Sequence, residues 1–141
     1  MKILVVDDEL VSRKKMQKIM VNFGECEEVE SGSEAITAFK KALENRTPFD
    51  LITLDIVMPE LEGIEVLFEI REIENLKNIP EEKQVKILMV TSHSDRDNII
   101  TSIQAGCNDY IVKPFDREMV IEKLENIKSG KRLSVADMED I

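Results

Sequence analysis

The sequence feature that most constrains the fold is a short apolar run that ends on a carboxylate, Leu51-Ile52-Thr53-Leu54-Asp55. Pro48 and Pro59 bound this region, and its residues favour β structure, so it predicts a buried strand. An aspartate disfavours strand structure and costs free energy when it is buried without a partner. We therefore expect Asp55 to lie at the carboxyl end of the strand, where polar or charged side chains can meet it.

The same alternation of apolar run and helical pattern occurs along most of the chain. Further runs predict strands at residues 3–6, 25–30, 85–90 and 109–112, of which 25–30 is polar enough for a sheet edge. Helical spacing of apolar residues follows each strand; Gly24 should close the first helix, and Glu and Arg should line the outer face of the third. Five strands that alternate with five helices predict an α/β fold, a doubly wound parallel sheet with helices on both faces.

Length and composition indicate one domain. The 141 residues divide into a predicted domain over residues 1–128 and a short C-terminal tail over residues 129–141, where the helical pattern ends. The net charge of −10 argues against nucleic acid as a partner. Acidic residues come too early for a signal peptide, and no apolar run has transmembrane length, so we expect a cytoplasmic protein without membrane insertion.

Polar side chains follow four of the five predicted strands. Asp7 and Asp8 follow the first strand and Asp55 ends the third. Thr91 follows the fourth strand and Lys113 the fifth. Because parallel strands end at one edge of the sheet, these side chains should meet there. Three neighbouring carboxylates repel one another and need a cation or protons. Oxygen ligands suit Mg²⁺, and the lysine and threonine could hold the oxygens of a phosphoryl group added to a carboxylate.

This set of residues resembles the receiver domain of two-component response regulators, CheY-like in size. The resemblance covers about residues 2–128 and depends on four motifs in order, each after a predicted strand. The motifs are Val5-Val6-Asp7-Asp8-Glu9, Asp55-Ile56-Val57-Met58-Pro59 with Gly63, Val90-Thr91-Ser92, and Tyr110-Ile111-Val112-Lys113-Pro114-Phe115. The resemblance implies a flavodoxin-like sheet with strand order 2-1-3-4-5. The segment 74–84 is longer than is usual in the family, and we interpret it as a surface loop.

The resemblance also implies a role for each site residue. Asp55 would accept a phosphoryl group from the phosphohistidine of a sensor histidine kinase or a histidine phosphotransfer protein. Lys113 and Thr91 would contact that group, and Thr91 and Tyr110 would form the switch. The Lys113-Pro114 bond would be cis. The ligands of Mg²⁺, or of Mn²⁺, would be Asp7, Asp8, Asp55 and the backbone carbonyl of Val57.

The leading hypothesis is a stand-alone phosphorylation switch that acts by contact with a downstream protein, whose identity the sequence does not give. It would catalyse only its own phosphorylation and dephosphorylation, so we do not class it as an enzyme. The alternative within the family is a relay intermediate that passes its phosphoryl group to a histidine phosphotransfer protein. A metal-dependent phosphatase fits poorly because Asp7 and Asp8 are adjacent instead of forming Asp-x-Asp. A flavin carrier fits poorly because no phosphate-binding loop rich in Ser, Thr and Gly follows the first strand.

Overall fold

The computed structural model describes residues 1–92, 96–131 and 133–138, and within them five strands alternate with five helices. The strands are β1 (Lys2–Val6), β2 (Glu25–Val29), β3 (Leu51–Asp55), β4 (Lys86–Ser92) and β5 (Asp109–Lys113). The helices are α1 (Leu10–Met20), α2 (Gly32–Glu44), α3 (Gly63–Leu76), α4 (Arg96–Gln104) and α5 (Arg117–Lys128). Two 3₁₀ turns, Glu81–Lys83 and Val135–Met138, lie before β4 and in the tail.

The strands form one parallel sheet in the order β2-β1-β3-β4-β5, which confirms the doubly wound topology. The register places Val6 beside Leu54 and Asp55 beside Val90, so β1, β3 and β4 end close together. The strand order reverses between β1 and β3. In open sheets of this kind, ligands bind beyond the carboxyl ends of the strands at that reversal.

The core consists of two apolar layers, one on each face of the sheet. One layer packs α1 and α5 against β1, where Ile3 and Val5 point to this side. The other layer packs α2, α3 and α4 against the opposite face, with Leu4 and Ile52 in its centre. Central strands covered on both faces need apolar residues at successive positions, which explains the continuous runs of the sequence. In the described residues, no helix combines the length and the apolarity that crossing a bilayer requires.

The prediction that Gly24 caps α1 is wrong. The helix ends at Met20, and Val21 caps it with an ordinary right-handed backbone. Gly24 instead lies against the amino-terminus, where an added Cβ would approach the carbonyl oxygen of Met1 to 2.0 Å. Glu25 donates its backbone N–H to the same oxygen at 2.9 Å. The glycine is therefore required by a close backbone contact beside the edge strand.

The outer-face prediction for α3 is wrong for two charged residues, Arg71 and Glu74, which are 8% and 1% exposed. Their side chains form an ion pair of 2.6 Å. Val85 closes the network, since Arg71 donates to its carbonyl at 2.8 Å and Glu74 accepts from its N–H at 2.7 Å. Arg71 also donates to Asn108 at 3.1 Å. This buried pair joins α3 to the start of β4 and to the loop before β5.

Candidate functional site

The carboxyl edge of the sheet brings four of the predicted residues into one cluster. Asp7 and Asp8 follow β1 directly and Asp55 ends β3; one carboxylate oxygen from each lies within 4.8 Å of the others. Lys113 ends β5, and its Nζ lies 3.2 Å from Oδ2 of Asp7 and 3.2 Å from Oδ2 of Asp55. Asp7 and Asp55 are buried, at 5% and 3% exposed. The cluster thus combines two buried acids, Asp7 and Asp55, with the more exposed Asp8, and it faces one ammonium group.

Thr91 and Val57 lie near Asp55, the first by strand register and the second by its position in the chain. Thr91 is buried in β4, one residue beyond Val90, and Val90 is the register partner of Asp55. Val57 lies two residues beyond Asp55 in the loop that leaves β3, and its side chain is 60% exposed. The register therefore places the threonine close to the end of β3, and the chain places the valine in the exposed loop that follows Asp55.

Tyr110 lies outside the cluster, three residues before Lys113 in β5. Its ring is half-buried against the core layer that contains α4, and Nζ of Lys123 lies 5.0 Å from the ring centroid. Burial raises the pKa of the phenol, and the charge of Asp109 raises it further. Tyr110 is therefore linked to the cluster through β5, which ends on Lys113, and through the core layer that it packs against.

Gly63 holds the loop after β3 against the site. Its N–H donates to the carbonyl of Ile56 at 2.8 Å. A Cβ at this position would come within 2.0 Å of the carbonyl oxygen of Asp55, so the backbone approach leaves room for hydrogen alone. Glycine is therefore required at this position of the second motif because a side chain would collide with the backbone, which the sequence alone does not show.

Two residues that the sequence analysis did not assign also belong to the site. Glu9 places Oε1 3.0 Å from Nζ of Lys113. Ser12, in the first turn of α1, donates to Oδ2 of Asp7 at 2.5 Å, and Glu9 donates its N–H to Oδ1 at 2.9 Å. Glu9 is the third acid in the run after β1, which is a usable signal. No sequence pattern indicates a role for Ser12, because its approach to Asp7 depends on the direction in which α1 leaves the strand.

The electrostatics of the cluster oppose a charged Asp55. Burial first, and then repulsion from Asp7, raise the pKa of Asp55 from 3.8 to about 7, although Lys113 acts in the opposite direction. Burial alone would lower the pKa of Lys113, but the hydrogen bond to Glu9 and the charges of Asp55 and Asp7 raise it well above its usual value. Lys113 therefore stays charged, and Asp55 favours either a proton or an additional cation near neutral pH.

The donor set fits a divalent cation. Oδ1 of Asp8 is buried and has no hydrogen-bond partner in the part of the chain that the structure describes. A buried carboxylate oxygen without a partner is costly, and coordination to a cation would satisfy it. The clustered side-chain donors are oxygens of Asp7, Asp8 and Asp55, which match the preference of Mg²⁺ and Mn²⁺.

Comparisons with known proteins identify the family of the chain. The family model described as "Response regulator receiver domain" matches residues 3–125. The chain is 37% identical over 129 residues to chemotaxis protein CheY-3 of Vibrio cholerae, covering 90% of this chain and 91% of the relative. It is 36% identical over 125 residues to chemotaxis protein CheY of Bacillus subtilis, covering 87% and 93%. Among solved structures, the CheX-CheY-BeF3-Mg complex of Borrelia burgdorferi matches with a TM-score of 0.76 and 25% identity, covering 90% of this chain and 88% of the other.

Proposed function

Since the chain belongs to the response regulator receiver family of two-component signalling, we propose that it is a phosphorylation switch. Asp55 accepts a phosphoryl group from the phosphohistidine of a sensor histidine kinase or a histidine phosphotransfer protein. The modified chain then changes conformation and signals by contact with another protein. The observation that carries this proposal is the position of the Asp55 carboxylate, buried at a strand end between Asp7 and the Lys113 ammonium.

The transfer is covalent catalysis on a carboxylate. An oxygen of Asp55 attacks phosphorus, the P–N bond of the phosphoimidazole breaks, and its electron pair returns to the imidazole nitrogen, which takes up a proton. The product is an acyl phosphate. Hydrolysis reverses the modification: water attacks phosphorus, the carboxylate of Asp55 leaves, and inorganic phosphate is released. Positioning and electrostatics account for the acceleration, because the acceptor is held in place by its strand and its neighbours.

Lys113 and Thr91 bind the transferred group in this scheme. The ammonium of Lys113 lies 3.2 Å from Oδ2 of Asp55, so it can follow the negative charge onto the phosphoryl oxygens. The hydroxyl of Thr91 donates to another phosphoryl oxygen, and its movement toward that oxygen shifts the end of β4. We propose that this shift, together with reorientation of Tyr110, is the switch.

Asp7, Asp8, Asp55 and the backbone carbonyl of Val57 would hold Mg²⁺ or Mn²⁺, on the evidence of the orphan oxygen of Asp8 and the clustered carboxylates. When bound, the divalent ion supplies positive charge beside the oxygens of the transferred group. Asp7 is pre-oriented for this role, because Glu9 and Ser12 hydrogen-bond its two carboxylate oxygens. Asp8 lacks such support for Oδ1, which leaves that oxygen available to the ion.

Partner proteins have an apolar surface to use beside the acceptor. Leu10 and Val11 at the start of α1 are 60% and 82% exposed, and Val57 in the loop after β3 is 60% exposed. We propose that this surface receives the phosphohistidine-bearing domain in the cytoplasm. The similar Borrelia CheY was solved in complex with the protein CheX, which supports a protein as a partner of this chain as well. The net charge of −10 disfavours nucleic acid.

Labelling with radioactive acetyl phosphate and Mg²⁺ tests the acceptor. Wild-type protein should incorporate label, and borohydride trapping followed by peptide mass spectrometry should place it on Asp55. Asp55→Asn should abolish incorporation, whereas the control Glu122→Gln, which alters an exposed carboxylate on α5, should label normally. Undiminished labelling of Asp55→Asn would refute the assignment. Rapid transfer of the label to a histidine phosphotransfer protein, with no other binding partner, would instead identify the relay intermediate.

A further inference from the structure

The described residues of the tail, 129–131 and 133–138, return toward the sheet face that carries α4. Gly130 has a φ of +78°, which ends α5 in the left-handed region and redirects the chain. Leu133 is half-buried and packs against the apolar layer beneath α4. The 3₁₀ turn Val135–Met138 then contacts α4 itself. The family match ends at residue 125, so this docking is a feature of the chain beyond the matched domain.

The docked turn has its own hydrogen bonds. Ser134 donates its backbone N–H to Oδ2 of Asp137 at 2.7 Å and its hydroxyl to the same oxygen at 3.2 Å. Asp137 donates its N–H back to the carbonyl of Ser134 at 3.0 Å. Reciprocal bonds of this kind fix the local backbone conformation. Leu133 directly precedes this ordered turn.

The surface that the tail covers is directly connected to the phosphorylation site. The β4 strand ends with Thr91 and Ser92, and three residues, 93–95, separate it from Arg96 at the start of α4. Leu133 packs against the same core layer as Ile100 of α4 and Tyr110 of β5. A displacement of Thr91 toward a phosphoryl group would therefore act on the helix to which the tail is docked.

We propose that the tail is an intramolecular ligand of α4 that stabilises the unphosphorylated conformation. This inference depends on the proposed function of Asp55. The tail fits α4 in the position that the helix has while Lys113 contacts Asp7, Asp55 and Glu9. A ligand that prefers one of two conformations shifts the equilibrium toward it, so docking of the tail opposes activation. By linkage, activation weakens docking of the tail by the same factor. A downstream protein that binds α4 would gain access as the tail leaves.

The test compares full-length proteins that differ at one tail residue. Leu133→Asp removes the apolar anchor, and Ala136→Asp adds the same charge at an exposed position of the same turn. Each protein is titrated with beryllofluoride in saturating Mg²⁺, and the amide NMR signal of Thr91 reports binding. We expect about fivefold tighter binding for Leu133→Asp, the low end of allosteric couplings because one half-buried side chain carries the effect. Ala136→Asp should bind like wild type.

The reciprocal measurement follows the tail itself. In wild-type protein, saturation with Mg²⁺ and beryllofluoride should move the amide signals of Ser134 and Asp137 toward the positions they have in Leu133→Asp. Leu133→Ala, which changes no charge, should shift the affinity in the same direction and decides the matter if the aspartate variant does not fold. Equal beryllofluoride affinity in all variants would overturn the inference alone. Failure of every protein to bind beryllofluoride would overturn the proposed function and this coupling together.

Discussion

Replacing Asp55 by asparagine should stabilise the metal-free protein at alkaline pH. The amide keeps the shape of the side chain and removes a buried charge. Burial, followed by repulsion from Asp7, raises the pKa of Asp55 from 3.8 to about 7. Well below pH 3.8 the carboxyl is protonated in both folded and unfolded chains and contributes nothing. Between pH 4 and 7 the unfolded chain ionises first, so stability falls as pH rises. Above pH 7 the loss is complete.

The size of the effect follows from the pKa difference. A rise from 3.8 to about 7 corresponds to about 4 kcal/mol at 1.36 kcal/mol per pH unit. Water at the open side of the site and relaxation of Lys113 reduce this to about 2 kcal/mol. For a domain of this length, that is a rise of about 6 °C in Tm. The figure already includes the attraction of Lys113, because that attraction contributes to the pKa.

The assay is urea or thermal unfolding in EDTA at pH 4 and pH 8. Asp55→Asn should exceed wild type by about 2 kcal/mol at pH 8, and the difference should shrink to less than about 0.5 kcal/mol at pH 4. Glu122→Gln, an exposed carboxylate-to-amide control, should match wild type at both. Added Mg²⁺ stabilises whichever protein binds it in the folded state. It should stabilise wild type more than the asparagine variant, because the variant lacks the proposed carboxylate ligand at position 55. A variant no more stable than wild type at pH 8 would mean that the Lys113 ion pair outweighs burial, and the electrostatic reasoning would fail.

Three further changes probe the elements that position the site. Glu74→Gln should cost about 3 kcal/mol in urea unfolding, because it leaves the buried Arg71 guanidinium without its ion-pair partner. Gly63→Ala should lower acetyl phosphate labelling and reduce Tm, because its Cβ would collide with the carbonyl of Asp55. Asp116→Ala should cost about 1 kcal/mol, since the side chain caps α5 by accepting the Met119 N–H at 2.9 Å, and should leave Mg²⁺ affinity unchanged in a calorimetric titration.

The alternation of strands and helices could be predicted from the sequence because each central strand is apolar at successive positions and each helix repeats its own pattern, whereas the strand order was implied only by the resemblance to receiver domains. Because parallel strands end at one edge of the sheet, the sequence alone predicted that Asp7, Asp55 and Lys113 lie together. The sequence indicated some helix caps correctly and others not. Ser31 and Glu34 have the S-x-x-E spacing of a capping box, and Ser31 does accept the Glu34 N–H at 3.2 Å at the start of α2. Gly24 failed as a cap because glycine also serves close backbone contacts, and the sequence does not distinguish the two uses.

Residue type alone assigns Arg71 and Glu74 to the solvent, because charged side chains are almost never fully buried unless they are paired. Helical spacing instead places both on the buried face of α3, at the i+4 positions of Leu67 and Ile70. They are buried because the start of β4 and the loop before β5 come against that face, and these segments are distant in sequence. Arg71 donates to the carbonyl of Gly106, 35 residues away, at 3.0 Å. The segment 74–84 is therefore anchored at its first residue, while Glu81, Glu82 and Lys83 are exposed. Its interpretation as a surface loop holds for the 3₁₀ turn and fails for Glu74.

The contact between Glu9 and Lys113 changes the charge argument for the site. Three carboxylates, one divalent cation and one ammonium would sum to zero, but Glu9 adds a fourth carboxylate at 3.0 Å from the ammonium. Lys113 is therefore shared among Asp7, Glu9 and Asp55, all within 3.2 Å. Because Glu9 is mostly exposed, its attraction is the most weakened by water and should be the first to be lost. A phosphoryl group on Asp55 would then draw Lys113 away from Glu9 instead of breaking a buried pair. Lys113 is the last residue of β5, the strand that also contains Tyr110. A change in the ion pair of Lys113 with Glu9 therefore acts directly on β5.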